Sequence, residues 1–555
     1  MKKNVLALSI TAAVVGLGFA GGAQAMTSLG GASANSDLRL NGDGVGHMLL
    51  VPYYSAQAEN ATLINLVNTD TANGKAVKVR FRGAANSDDV FDFQVFLSPG
   101  DVYAFNISKN SAGLAQISTT DNSCTKPAKA VLNATPFVTS RLDSTLDAGG
   151  KANGTREGYV EIFNMGDIPK SSFTTSAAYD AGTAAGRVTS ATNTDNGLFT
   201  AIKHVAKVAP CTGAAWTYLD DNNLAFGNSN AAGTSSFAGL TAPTTGLMAN
   251  WTIINVVGAA AWSNSAVAVE ARTVGTAAAA RGNVVYWPQT GVAVGSTIDS
   301  FTADPLLRSA NVSRFNTATA AYVVDSTPAV AAAFYDLPDM STPYTAIAIS
   351  PLSQAVDLTA AIAATSATNE FLTDQSIQAS TDWVFSMPTR RYNISLDYAA
   401  IAAGDDGRRF TDLFNNSFAT GYFLQQNTLV TSRQICVRGI TVTTTDREET
   451  TLLATQSVVV SPSTPADPLT FCGEASVLSI NRGGVSGAGT GALKAQVSVK
   501  DIDVGFVDGW MRIATPSATT VPVGPSGLPV LGSAFSKASA GPNSFGITHM
   551  HRFGR

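Results

Sequence analysis

Cys124, Cys211, Cys436 and Cys472 are the residues best placed for covalent chemistry in this chain. In an oxidising compartment an even number of cysteines reads as disulfides, with three connectivities open. The sequence-local choice pairs Cys124 with Cys211 and Cys436 with Cys472, each staple being worth about 4 kcal/mol by loop closure. Zinc is the rival, but no C-x-x-C spacing exists to support it. The histidines are His47, His204, His549 and His551. The last two, in "THMHRF", would face one side of a strand, yet no third ligand stands beside them. A surface or packing role is expected for that pair.

Oxygen ligands come next. Asp37, Asn41 and Asp43 in "DLRLNGDGVG" have the oxygen-and-glycine look of a calcium loop, with His47 close by. An EF-hand needs a further spaced ligand and a bidentate Glu at its twelfth position, and both are missing. These three residues are carried as calcium candidates; "LDDNN", "TNTDNG" and "AGDDGRR" resemble them and are equally incomplete. Asn, Asp and Gly also make ordinary turns. The pairs Asp88-Asp89 and Asp220-Asp221 offer glycosidase-type carboxylates, although adjacent acids in turns are expected to be solvated. Trp251, Trp262, Trp287 and Trp383, with Tyr53 and Tyr54, are suited to stacking on sugar rings, and core packing competes for the same residues. No G-x-S-x-G elbow, H-E-x-x-H helix or phosphate-binding glycine loop occurs. "GGVSGAGTG" lacks the trailing Lys-Ser/Thr of a P-loop.

The elements that must position these residues are mostly strands. "KAVKVRFRG" alternates without a fault: Val77, Val79 and Phe81 on one face, Lys78, Arg80 and Arg82 on the other. That pattern predicts an antiparallel strand with one wet face. "VFDFQVFLSPGDVYAFNIS" continues it, with Phe91, Phe93, Val95 and Leu97 on one side and a turn at Ser98 to Asp101. Residues 108–156 read mostly as loop, "REGYVEIFNMG" returns to strand, and 167–245 is a long insertion with a short helix candidate in "GLFTAIKHVAKV". "LSQAVDLTAAIAATSATNEF" (352–371) is the best helix candidate. "TDWVFSMPTRRYNISLDY", "SRQICVRGITVTTTDREET", "EASVLSINR", "KAQVSVKDIDVGFVDGWMRIAT" and "LPVLGSAFSKA" read as strands. The ending "THMHRFGR" is not an obvious barrel-closing strand. The expected fold is mainly β: two antiparallel β-sandwich-like domains, 26–300 and 301–555, with long loop insertions and a few short helices.

Residues 1–25 read as a signal peptide: basic Lys2-Lys3, an apolar stretch from Val5 to Phe19, and Ala23-Gln24-Ala25 as the cleavage site. No later segment has about 18 uninterrupted apolar residues, so no membrane-spanning helix is expected. Without Lys2 and Lys3 the chain holds 33 basic against 40 acidic residues, a formal charge of −7. A mildly acidic chain with only 14% charged residues is ill suited to nucleic acid or anionic membranes. It suits a protein that packs against copies of itself, because few charges need desolvating at each contact.

Several phrases together carry a family likeness: "LLVPYYSAQAENATLINLVNTD", "AVKVRFRGAANSDDVFDFQVFLSPGDV", "REGYVEIFNMGD", "NEFLTDQSIQASTDWVFSMPTRR", "CVRGITVTTTDREE" and "FCGEASVLSI". The chain resembles a group of exported proteobacterial proteins labelled cell-surface or surface-layer proteins. The resemblance implies a secreted structural role, with 108–150 and 167–245 as outward loops or lattice contacts, and brings no catalytic residues with it. The expected function is therefore a secreted, non-catalytic cell-surface structural protein that self-assembles as a surface layer or envelope coat. Its expected partners are its own copies and the cell envelope, and calcium is the one cofactor in view. A surface adhesin or glycan-binding module is the alternative, followed by a secreted hydrolase; the expected location is the cell surface or medium, with the periplasm as another.

Overall fold

The computed structural model describes residues 20–21, 27–29, 36–170, 196–220, 239–273, 279–282, 284–286, 289, 298–299, 312–326, 351–402, 406–411, 422–453, 469–481, 490–515, 527–541 and 543–555. Lys2, Lys3, the Ala23 to Ala25 stretch read as a cleavage site, Asp221, Trp287 and most of "GGVSGAGTG" lie outside these residues. The protein is mainly β, with antiparallel sheets arranged as sandwiches and a few short helices.

The first sandwich comprises β1 (Ser36–Leu40), β2 (Met48–Ser55), β3 (Asn60–Asn68), β4 (Gly74–Gly83), β5 (Asp89–Leu97), β6 (Val102–Lys109), β7 (Ala115–Ser118), β8 (Cys124–Lys126), β9 (Glu157–Ile168), β10 (Leu247–Asn255), β11 (Ala260–Ser265) and β12 (Val267–Thr273). One sheet has the order β8-β5-β4-β9-β2-β12-β1 and the other β11-β10-β3-β6-β7. Val77, Val79, Phe81, Phe91, Phe93, Val160 and Ile162 of the first sheet meet Ile64, Leu66, Phe105, Trp251 and Ile253 of the second. The alternation in "KAVKVRFRG" thus does select the core-facing side chains.

The second sandwich holds β13 (Ser366–Leu372), β14 (Ser380–Ser386), β15 (Thr428–Thr431), β16 (Gln434–Thr445), β17 (Ala475–Asn481), β18 (Val499–Asp503), β19 (Asp508–Ala514), β20 (Leu531–Ala540), β21 (Asn543–Met550) and β22 (Arg552–Gly554). β15-β16-β19-β13-β22 form one sheet and β18-β17-β14-β20-β21 the other, the β17–β18 pairing being parallel. Phe371, Val442, Met511 and Ile513 pack against Trp383, Phe385, Leu478 and Ile480. A smaller sheet joins Ala321–Ser326, Val312–Asn316, Arg408–Thr411 and Ile394–Leu396.

The two sandwiches share cores. The cluster inside the first also takes Val384, Val477, Leu493, Val497 and Phe535. A further cluster joins Met48, Leu50, Phe163 and Val269 to Ala355, Leu358, Ile362 and Tyr392. Among the described residues no helix is long and apolar enough to cross a membrane.

Several expectations change. The region 108–156 keeps much loop but also holds β7, β8 and the helices Lys129–Ala134 and Ala148–Arg156. The helix candidate at 352–371 stops at Ile362, and β13 follows, because Thr and Phe in "SATNEFL" and its alternating burial suit a strand better than a helix. The ending lies in β21 and β22, with His549 on β21 and His551 between the two. The chief correction concerns the face expected to be wet. Lys78, Arg80 and Arg82 are fully buried, because the helix Pro351–Ile362 and the turn Arg390–Tyr392 come from the far end of the chain to cover that side of the sheet.

Candidate functional site

The covered face of the first sheet is an ionic layer. Cross-strand register sets Arg80 opposite Asp92 and Lys78 opposite Gln94 on β5. On the other side it sets Arg80 opposite Glu161 and Lys78 opposite Phe163 on β9. Lys78 pairs with Asp92 and donates to Gln289 Oε1 at 2.8 Å. Arg80 lies over the Phe163 ring, 5.0 Å from its centroid. Arg82 has Asp89 at 3.8 Å and Glu161 at 3.7 Å. Arg391 then reaches down from the second half, its Nη2 donating to both Glu161 oxygens at 2.7 and 2.8 Å and also to the Tyr392 hydroxyl. The neighbouring Arg390 lies 2.5 Å from Glu474 and donates to the Ile435 and Gly473 carbonyls at 2.6 and 2.8 Å. Every one of these charges is buried. Burial on this scale is tolerable only because opposite charges and hydrogen bonds compensate one another.

Beside the layer, the turn after β4 plugs into the second half. The Ala84 carbonyl accepts from the Glu474 and Ala475 amides at 2.7 and 3.1 Å. The Asn86 amide nitrogen donates to the Arg433 carbonyl at 2.9 Å and to the Tyr398 hydroxyl at 3.0 Å, and its oxygen accepts from Ile435 N at 3.1 Å. Tyr398 donates to Asp88 at 2.8 Å; burial first, then the Asp88 charge, pushes its hydroxyl pKa far up. Asp143 pairs with Arg433, which lies 6.0 Å from the Tyr398 ring centroid. Between these groups is a cleft of about 180 Å³, lined by residues of both halves.

Two more carboxylates are buried near the junction. Glu157 accepts from Tyr53 at 3.1 Å and from the Gln496 amide at 2.6 Å; burial raises its pKa to about 7. Asp382 accepts from Ser479 at 2.6 Å and from Leu493 N at 2.8 Å, and burial raises it to about 6.

The residues singled out from sequence fall in different places. The disulfides are Cys124–Cys211 and Cys436–Cys472, the second joining facing residues of β16 and its neighbour Leu469–Cys472. Asp37 is taken up by Arg39 at 2.9 Å. Asn41 Oδ1 accepts from the Asp43 amide at 3.1 Å, making a turn. Among the described residues no three His, Cys, Asp or Glu side chains converge as a metal site. His47 is buried, with Nε2 3.0 Å from the Ala280 carbonyl and Nδ1 accepting from Ala271 N at 3.2 Å. His551 is buried against Trp383 and Phe385, while His549 is exposed. His204 stands 3.5 Å from Asp101. Burial pushes both buried imidazoles down to about 3. Trp251, Trp262 and Trp383 are core residues, and Tyr53 and Tyr54 are fully buried.

Asp88 and Asp89 reverse the expectation of solvated turn acids: both are buried. Asp220 is partly exposed and pairs with Lys126 at 2.8 Å. Sequence reasoning missed Glu157, Glu161, Arg390, Arg391 and Glu474. The signal was present in "REGYVEIF", "TRRY" and "CGEAS", where charges interrupt apolar runs. In comparisons with known protein families, curated proteins and solved structures, the chain matches none.

Proposed function

We propose that the chain is an exported, non-catalytic structural protein of the cell surface that associates with copies of itself. The observation that carries this reading is β21. It ends its sheet, packs on one side against β11, bears no Lys, Arg, Asp or Glu in "NSFGITHM", and still exposes Phe545, Ile547 and Met550 by 51, 43 and 48%. Natural edge strands usually carry charge, proline or a cover against pairing with another chain. A neutral, apolar edge suits addition of a strand from a second copy. The charges gathered at the junction are turned inward and matched to one another, which favours a rigid building block over a reactive pocket. Calcium bridging acidic loops between copies belongs to the same reading.

Cell fractionation with and without EDTA, followed by negative-stain imaging of released material, tests it. Ordered arrays on the envelope, and soluble subunits after chelation, are expected. Cells with no ordered coat, unchanged by deletion of the gene, would overturn it.

A further inference from the structure

We propose that the cleft between the two halves binds one neutral sugar residue. Its size sets the first limit. About 180 Å³ is below the range of pockets for larger organic ligands. Charge sets the second. Asp88 is engaged by Tyr398, and Asp143 and Arg433 by each other. An anion would meet two carboxylates, and a cation would have to compete with groups already in place. A neutral ligand meets neither cost.

The remaining lining selects for hydroxyl groups. The Gln496 carboxamide and the Asn153 and Gln434 amide nitrogens line the cleft and have no protein partner among the described residues. Planar amides donate and accept at once, which matches a ring carrying several hydroxyls. Leu142, Leu146 and Val497 supply an apolar wall, and Leu146 remains 38% exposed at its edge. A pyranose has both faces: hydroxyls around its rim and C–H groups on its flat side. The walls come from two halves locked by the Asp143–Arg433 and Asp88–Tyr398 contacts, so the site is organised before a ligand arrives.

Titration calorimetry on the whole chain tests this, using glucose, galactose, mannose and N-acetylglucosamine, with glucuronate and inorganic phosphate as charged comparisons. At least one neutral sugar should bind in the millimolar range, with the charged compounds weaker. Gln496→Ala and Asn153→Ala should each weaken binding about fivefold to tenfold, and Gln496→Trp should abolish it by filling the cleft. Gln496 is exposed, so Gln496→Ala should melt with the parent; Asn153→Ala also removes an acceptor from Arg156, so its melt is recorded beside its binding, and Gln496→Ala stands if the tryptophan variant does not fold. Absence of binding by all four neutral sugars, undiminished binding in Gln496→Ala and Asn153→Ala, or equal binding of phosphate would overturn the proposal. Titration reads the isolated chain and imaging reads the array, so this site and the self-association fail independently.

Discussion

Glu161 is held by Arg391 and faced by Arg82, all three out of water. Glu161→Ala would leave guanidinium charge buried without its counter-ion and should cost about 3–5 kcal/mol in urea unfolding. Replacing Glu161 and Arg391 together by Leu and Met should recover most of that loss. Buried titratable groups set opposing pH trends. Glu157 and Asp382, raised to about 7 and about 6, stabilise the fold at low pH and lose that contribution as pH rises through those values. His47 and His551, lowered to about 3, do the reverse: their contribution is full above pH about 6.5 and is lost on acidification toward 3. Thermal melts of Glu157→Gln should therefore lose part of the decline between pH 4.5 and about 7, while His551→Gln should flatten the acid limb. The alternation in "KAVKVRFRG" disclosed which residues share a face. It was silent on what covers the second face, since Arg391 stands 230 positions from Glu161.

Strands were the most legible elements because period two survives single interruptions. β4, β5, β14, β16 and β17 all stand where alternating apolar residues put them. The helix Ala148–Arg156 was hidden: "AGGKANGTR" has three glycines and little helix propensity. It forms because Asp147 caps Gly150 N at 2.7 Å and because it packs against β9 and β4. Gly158 opens β9 at a register shift against β2. A Cβ there would lie 1.8 Å from the Arg82 carbonyl oxygen, a backbone atom with nowhere to go. Gly158→Ala should cost at least about 1–3 kcal/mol, read as a lower urea midpoint at unchanged slope. The disulfide Cys124–Cys211 spans 87 positions and fastens the helix Gly197–Ile202 beside β8. Its removal as paired serines should cost about 4 kcal/mol. The 36-position Cys436–Cys472 bridge should cost slightly less.

Side chains from both sandwiches fill common cores. Urea unfolding followed by tryptophan fluorescence and by far-ultraviolet circular dichroism should give one coincident transition. Two separated transitions would show that the shared cores do not couple the halves. The junction itself was the least legible feature, because its parts lie hundreds of positions apart and none forms a local motif. Asn60 donates to the Leu493 carbonyl across 433 positions, and Ser498 to Ala84 across 414. That separation has a consequence in time. A ribosome makes Lys78, Arg80, Arg82 and Glu161 long before it reaches Arg390 and Arg391. Until then the nascent first sandwich presents a charged face to water and has no reason to close. Completion waits for late synthesis, and the finished body is reached only when the whole chain is out.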